Sequence, residues 1–150
     1  MHNYMVVNMI HQMKKRLGMD APSIVKNWVN SRSDQGFTAL HFASYRGNYE
    51  LISLLIAEGA EVEVINNEGL NVLHMAAQGN QPLSLVFFKE KYKMNIMSVD
   101  EVGSTPLHWA AYTGSKEAFI YLLSWNVDVN AQDKEGLTPL HLAVISGKCL

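Results

Sequence analysis

Residues 105–111, Thr-Pro-Leu-His-Trp-Ala-Ala, decide the fold, because close copies of this stretch recur along the chain. Its histidine returns at intervals of 33, 34 and 33 residues, as His41, His74, His108 and His141. A leucine precedes each histidine, an alanine lies two residues after it, and a glycine lies five residues before it. Columns that recur together at one period indicate internal repeats, which predict a stack of similar structural units.

The chemistry around each histidine predicts the shape of one unit. A Ser, Asn or Asp stands three residues before the glycine, a combination typical of a type I turn. A Thr or Asn two residues after the glycine is a good helix N-cap. The residues that would end the first helix favour a left-handed backbone, and they are Gly47, Asn80, Gly114 and Gly147. Each unit is therefore predicted to contain a turn, a capped first helix and a second apolar helix.

The second unit departs slightly from this pattern. Its second helix is predicted to bury an apolar stripe formed by Leu83, Val86, Phe87 and Phe88. The repeat interval of 34 residues implies one extra residue, which we expect in a loop over residues 89–94.

At this point a family resemblance is plain. Residues 105–111 and 138–143 resemble the ankyrin signature, and residues 128–133 resemble the segment that joins ankyrin units. The resemblance covers residues 33–150 and implies an all-α ankyrin-repeat solenoid, with helix-turn-helix units joined by β-turn or hairpin loops. The predicted units span residues 33–65, 66–99, 100–132 and, in part, 133–150.

The ends of the chain differ from the repeat. Residues 1–32 are predicted to form a helical capping segment, with a second helix capped by Asp20. The apolar face of its first helix is predicted to contain Met1, Met5, Met9, Met13 and Leu17, with Val6 and Ile10 beside them. A membrane-surface or partner-binding helix remains an alternative because a basic cluster occupies residues 14–16.

The fourth unit has only its first helix. Leu140, Val144 and Ile145 would therefore lack cover, and we expect the natural chain to continue or a partner to cover this end.

Catalytic and metal chemistry are not predicted. One histidine per unit places the rings about 10 Å apart along the stack, whereas zinc ligands lie about 2 Å from one ion. His141 and Cys149 form a weak nucleophile–base candidate, eight residues apart near the chain end. No phosphate-cradling glycine loop or nucleophile elbow occurs, so no cofactor or metal is expected.

The composition limits the possible functions of the chain further. The net charge of -2 does not suggest nucleic-acid binding, and no apolar run reaches the length of a membrane span. A single cysteine forms no internal disulfide, which favours a reducing, intracellular compartment. The basic cluster before the first acid is also compatible with a mitochondrial presequence, although serine is absent there.

The ankyrin resemblance implies a partner-binding surface, which we call the concave face. It combines the turn tips with the exposed side of the first helices. The predicted tip residues are Phe37, Glu68, Leu70, Glu101, Val102, Glu135 and Leu137. The predicted helix residues are Tyr45, Arg46, Gln78, Tyr112, Thr113 and Ile145. Trp109 stands beside them, but its counterparts Phe42, Met75 and Leu142 leave open whether this column faces the core.

The concave face is thus predicted to bind a protein or peptide segment, and its carboxylates favour a partner with basic or amide groups. Residues 74–82, 88–91 and 103–125 also resemble the N-terminal ankyrin region of Asp-His-His-Cys palmitoyltransferases. In that family the repeats recruit substrate proteins, and a separate membrane-embedded domain transfers the acyl chain. This narrower resemblance implies a substrate-recruiting or regulatory domain at the cytoplasmic face of a membrane. A free-standing adaptor and a structural subunit of a larger assembly remain alternatives.

Overall fold

The computed structural model describes residues 2–18 and 21–148, and within these ranges the backbone forms helices, turns and loops without a strand. Asp20 and Cys149, on which the predicted cap and the nucleophile–base candidate depend, lie outside the described residues. The helices are α1 (His2–Leu17), α2 (Ala21–Val29), α3 (Ala39–Arg46), α4 (Tyr49–Ala57), α5 (Val72–Gln78), α6 (Pro82–Tyr92), α7 (Pro106–Thr113), α8 (Lys116–Ser124) and α9 (Pro139–Ser146).

In the described repeats the predicted turns form, and Asn71, Thr105 and Thr138 cap their helices through side-chain hydrogen bonds. The residues predicted to end the first helices all have a left-handed backbone. In the third unit, the Gly103 N–H donates to the Asp100 carbonyl at 3.1 Å, which closes the turn. In the second unit, Asn71 caps α5 by accepting from the Leu73 and His74 N–H groups at 2.9 and 3.1 Å. Gly114 ends α7 in the left-handed region, with φ of 73°. The fold is therefore an all-α ankyrin-type solenoid.

The units stack in register. The first helices pack in the order α3, α5, α7 and α9, and the second helices α4, α6 and α8 lie behind them. Backbone hydrogen bonds also join successive turn tips, from Glu101 N–H to the Glu68 carbonyl and from Lys134 N–H to the Val102 carbonyl, both 2.9 Å. This register places equivalent residues of neighbouring units side by side and aligns the tips along one edge.

The core runs through the stack as a continuous row. It contains one leucine from each of the first three units, Leu40, Leu73 and Leu107, together with apolar residues of the second helices. Burial of a leucine side chain stabilises a fold by about 1.5–3 kcal/mol, so this row is a main source of the stability of the stack.

The second unit corrects two sequence-based expectations. The extra residue does not lengthen a loop, because α6 continues to Tyr92, where the rings of Phe87, Phe88 and Tyr92 pack together. The pattern predicts Leu83 on the apolar stripe, but its side chain is 76% exposed, and Leu85 is fully buried instead.

Only part of the predicted apolar face of the first helix packs against the core. Ile10 is buried with Val6 and Met13 packed beside it, whereas Met5 and Met9 are exposed. Lys14 of α1 forms an ion pair with Glu58 of the first unit at 2.7 Å. The described part of α1 thus contacts the repeat stack directly. The boundary between the capping segment and the repeats at residue 32 stays a prediction.

None of the described helices combines the length and the hydropathy that a membrane crossing requires.

Candidate functional site on the concave face

The repeated histidines connect each unit to the next. The Thr38 N–H donates to Nδ1 of His41 at 3.0 Å, so Nε2 must carry the ring proton, and it donates to the Leu70 carbonyl at 3.0 Å. His108 repeats this arrangement, since its Nε2 lies 3.0 Å from the Leu137 carbonyl of the fourth unit. The rings of His41, His74 and His108 therefore hold the turn of the following unit in place.

Burial keeps two of these rings neutral. It lowers the pKa of His41 below its ordinary value of 6.5, and the hydrogen bond to the Leu70 carbonyl offsets this only in part. It lowers the pKa of His74 as well, although the Asp100 carboxylate and the Ser104 carbonyl act in the opposite direction. A neutral imidazole, with one accepting and one donating nitrogen, is the form that both hydrogen bonds require.

Trp109 occupies a special position in the third unit. Its indole N–H donates to Oδ2 of Asp100 at 2.8 Å, and Asp100 is itself buried. The other carboxylate oxygen of Asp100 accepts from the N–H groups of Val102 at 3.1 Å and Ser104 at 2.8 Å. A charge-assisted hydrogen bond to a fully engaged carboxylate fixes the plane of the indole ring.

A cavity of about 380 Å³ lies beside Trp109, between the third and fourth units. Its walls include the Trp109 and Tyr112 rings, whose centroids lie 6.0 Å apart with the ring planes at 90°. Leu137 and Leu142 supply aliphatic surface, and carboxylates of both units stand in the lining. A second cavity of about 210 Å³ lies next to Glu68 and shares Trp109 as a wall.

The structure brings part of the predicted surface together. Five predicted residues line the larger cavity, and these are Glu101, Val102, Tyr112, Glu135 and Leu137. Trp109 joins them, which resolves the open question about its column: its ring is partly buried and faces the cavity. Glu68 lines the smaller cavity on the other side of this ring.

The remaining predicted residues lie outside both cavities. Phe37 packs edge-on against His41 at 5.5 Å, and the Thr113 hydroxyl donates to the Trp109 carbonyl at 2.8 Å. Gln78 is partly buried, and its Nε2 atom has no hydrogen-bond partner in the described part of the chain. Three more, Tyr45, Arg46 and Ile145, are exposed first-helix residues.

Leu70 corrects the sequence-based assignment. It was placed at an exposed tip, but its side chain is 4% exposed and its backbone is fully used. Its N–H donates to Oδ1 of Asn66 at 2.8 Å, and its carbonyl accepts from His41. Leu70 therefore lies in the interface between units and offers no surface to a partner.

Sequence reasoning missed several residues of the cavity. Asp100 was identified only as a turn residue, although it also orients Trp109. Ser104, Lys134 and Leu142 line the cavity because neighbouring units converge there. The available signal was the tryptophan itself, which in this column replaces Phe, Met or Leu and brings an N–H that needs an acceptor.

The comparisons with known proteins support the ankyrin-type fold. A family model described as ankyrin repeats (3 copies) matches residues 10–95 and 83–150. The chain is 30% identical over 110 residues to human transient receptor potential cation channel subfamily A member 1, an alignment that covers 69% of the chain and 10% of the channel protein.

Two further relatives have similar levels of identity. Palmitoyltransferase AKR1 of Lachancea kluyveri is 32% identical over 119 residues, covering 73% of the chain and 16% of that protein. Tyrosine-protein kinase HTK16 of Hydra vulgaris is 31% identical over 108 residues, covering 71% of the chain and 14% of the kinase. The chain thus spans less than a fifth of each of these relatives, and their names denote three unrelated activities.

Proposed function

Because the chain belongs to the ankyrin-repeat family, and ankyrin repeats are protein–protein interaction modules, we propose that its concave face binds an extended segment of a partner protein. The observation that carries this proposal is the cavity between the third and fourth units, where two aromatic rings, aliphatic side chains and carboxylates are accessible together. Aromatic anchors in a pocket with polar groups at its rim are typical of protein-binding hot spots.

The rest of the concave face supports the same proposal. Phe42 and Tyr45 are exposed on α3, Tyr112 is exposed on α7, and the glutamates of the turn tips are exposed as well. An exposed aromatic side chain offers a large contact area at a low cost in conformational entropy, which suits a surface that binds an extended segment.

A peptide-display selection against the full chain tests this function. We expect selected peptides to lose at least about tenfold in affinity for the Tyr45→Ala/Tyr112→Ala variant, because truncation of a hot-spot aromatic costs about 2 kcal/mol or more. Tyr121→Ala is the matched control, since Tyr121 is 41% exposed, close to the 45% of Tyr112, but lies on the second helix α8. Equal affinity for the wild type and the double variant would contradict binding at the concave face.

We further propose that the parent protein is an S-acyltransferase, with the repeats recruiting or regulating substrates at the cytoplasmic face of a membrane. The match to a palmitoyltransferase supports this, and the comparable match to a channel and a kinase weighs against it. Sequencing the full transcript tests it. A downstream cysteine-rich Asp-His-His-Cys segment among four apolar spans would support the proposal, and a reading frame without that segment would contradict it.

A structural subunit is the second candidate, and one observation favours it. Leu140, Val144 and Ile145 form an exposed apolar surface on α9. Exposed apolar patches promote association, so a subunit whose partner is missing should self-associate when purified. Light scattering of the purified chain measures this self-association. A single monomeric species at high concentration would contradict this candidate and favour the free-standing adaptor.

A further inference from the structure

The larger cavity has a pre-arranged aromatic corner. Trp109 is held by Asp100, whose other oxygen is fixed by two backbone N–H groups, so the indole orientation does not depend on a ligand. Tyr112 meets this ring at a right angle. Both rings line one cavity, and the face of an aromatic ring attracts cations, with Trp the most effective.

The cavity also suits an aliphatic stem. Val102, Leu137 and Leu142 line it together with the two rings. Long basic side chains bury their methylene groups against apolar surface while the charged end remains near polar groups. A cavity of about 380 Å³ lies near the lower end of the range for small-ligand pockets, about 300–1,000 Å³. It therefore fits a single side chain better than a larger group.

The charge at the cavity rim also favours a cationic side chain. Glu101 and Glu135 are exposed, and neither carboxylate has a hydrogen-bond or ion-pair partner within residues 2–18 and 21–148. Glu68 stands at the next tip, one backbone hydrogen bond away from Glu101. Lys134 is the basic residue of the lining, so the glutamates leave the rim with a negative charge.

We propose that this cavity is a specificity pocket for one arginine side chain of the bound segment, an inference that rests on the proposed peptide-binding function. The planar guanidinium stacks on the indole of Trp109 while its N–H groups pair with Glu101 and Glu135. Arginine is preferred to lysine because its planar fork matches both the aromatic face and the carboxylate geometry, and because it is less strongly hydrated.

The test uses peptides selected on the full chain, with each arginine replaced in turn by citrulline, which has nearly the same shape but no charge, or by lysine. We expect one arginine whose replacement by citrulline weakens binding about tenfold or more, with lysine intermediate. Glu101→Gln/Glu135→Gln should remove the preference for arginine over citrulline. Glu61→Gln/Glu63→Gln is the charge-matched control, because both residues are exposed and lie outside the cavity.

The indole N–H signal of Trp109 in a proton–nitrogen correlation spectrum locates the binding. It should shift on addition of the arginine peptide and shift less with the citrulline peptide, while Trp28 and Trp125 serve as internal references. Peptides that bind through Tyr45 and Tyr112 but show no dependence on arginine would overturn the pocket and leave the proposed function intact. Failure to select any peptide that depends on the concave face would overturn both.

Discussion

The first helices of the third and fourth units, α7 and α9, have nearly the same sequence, yet α7 is largely buried and α9 is largely exposed. Thr105 and Thr138 both cap their helices, and in each unit the histidine Nδ1 accepts from the threonine N–H at 3.1 Å. His108 is nevertheless fully buried, and its Nε2 is bonded to the next unit, whereas His141 is exposed. The local sequence therefore determines the turn, the cap and the helix, whereas packing against the neighbouring unit determines whether the side chains are buried.

This difference has an energetic meaning. In a stacked repeat protein, stability is approximately the sum of a term for each unit and a term for each interface between neighbours. The third unit has an interface on both sides, while the described outer face of the fourth unit has none. Matched substitutions in α7 and α9 should separate the two terms.

The largest effect is expected at the leucine that precedes each histidine. Leu107 is 2% exposed and Leu140 is 73% exposed. Leu107→Ala should lower the free energy of unfolding by about 3 kcal/mol, because it removes buried methyl groups and leaves a cavity. Leu140→Ala should change it by no more than about 0.5 kcal/mol. Urea unfolding followed by circular dichroism measures both free energies. Equal losses of stability in the two variants would contradict the difference in burial between α7 and α9.

A smaller effect is expected at the histidines. His108→Ala leaves the Thr105 N–H without its partner and removes the hydrogen bond to the Leu137 carbonyl, which still accepts from the Asp133 N–H, so it should cost about 2 kcal/mol. His141→Ala removes only an exposed cap interaction and should cost about 1 kcal/mol or less. The same unfolding experiment applies, and a larger loss for His141→Ala than for His108→Ala would contradict the role of the histidine as an inter-unit brace.

The smallest effect is expected from pH. Burial lowers the pKa of His41 and His74, so below about pH 6.5 the unfolded chain binds more protons than the folded chain. The free energy of unfolding should therefore fall as the pH drops below 6.5, and the contribution of these two rings should be constant above it. Unfolding curves between pH 5 and 7.5 test this.

The His74→Gln variant is the control for the pH series. It removes one of the two buried rings, so its stability should depend less steeply on pH than that of the wild type. An identical pH dependence in the two proteins would show that burial of His74 does not produce the slope.

The difference between local structure and burial also explains which features could be predicted from the sequence. Turns, caps and helix ends depend on a few adjacent residues, and they were confirmed at Gly103, Asn71 and Gly114. Burial depends on what the neighbouring units supply, and there the sequence was a weaker guide. Leu70 and Leu83 show this, since one is buried at a predicted tip and the other is exposed on a predicted apolar stripe.

The candidate site shows the same limit. Periodicity identified the column of Trp109 and the glutamates at the tips, because the repeat assigns each residue a place within its unit. It did not show that Asp100 orients the indole or that Lys134 and Leu142 complete the cavity, because those contacts arise between units or across a turn. The selection of partner residues therefore remains a prediction that the tyrosine and glutamate variants test.

Amide hydrogen exchange on the intact chain tests the central claim most directly, because it compares α7 and α9 within one molecule and without substitution. If the neighbouring unit supplies burial, the amides of α7 should exchange much more slowly than those of α9, despite the shared cap sequence. Equal protection of the two helices would show that local sequence alone stabilises each unit, and the account would be wrong.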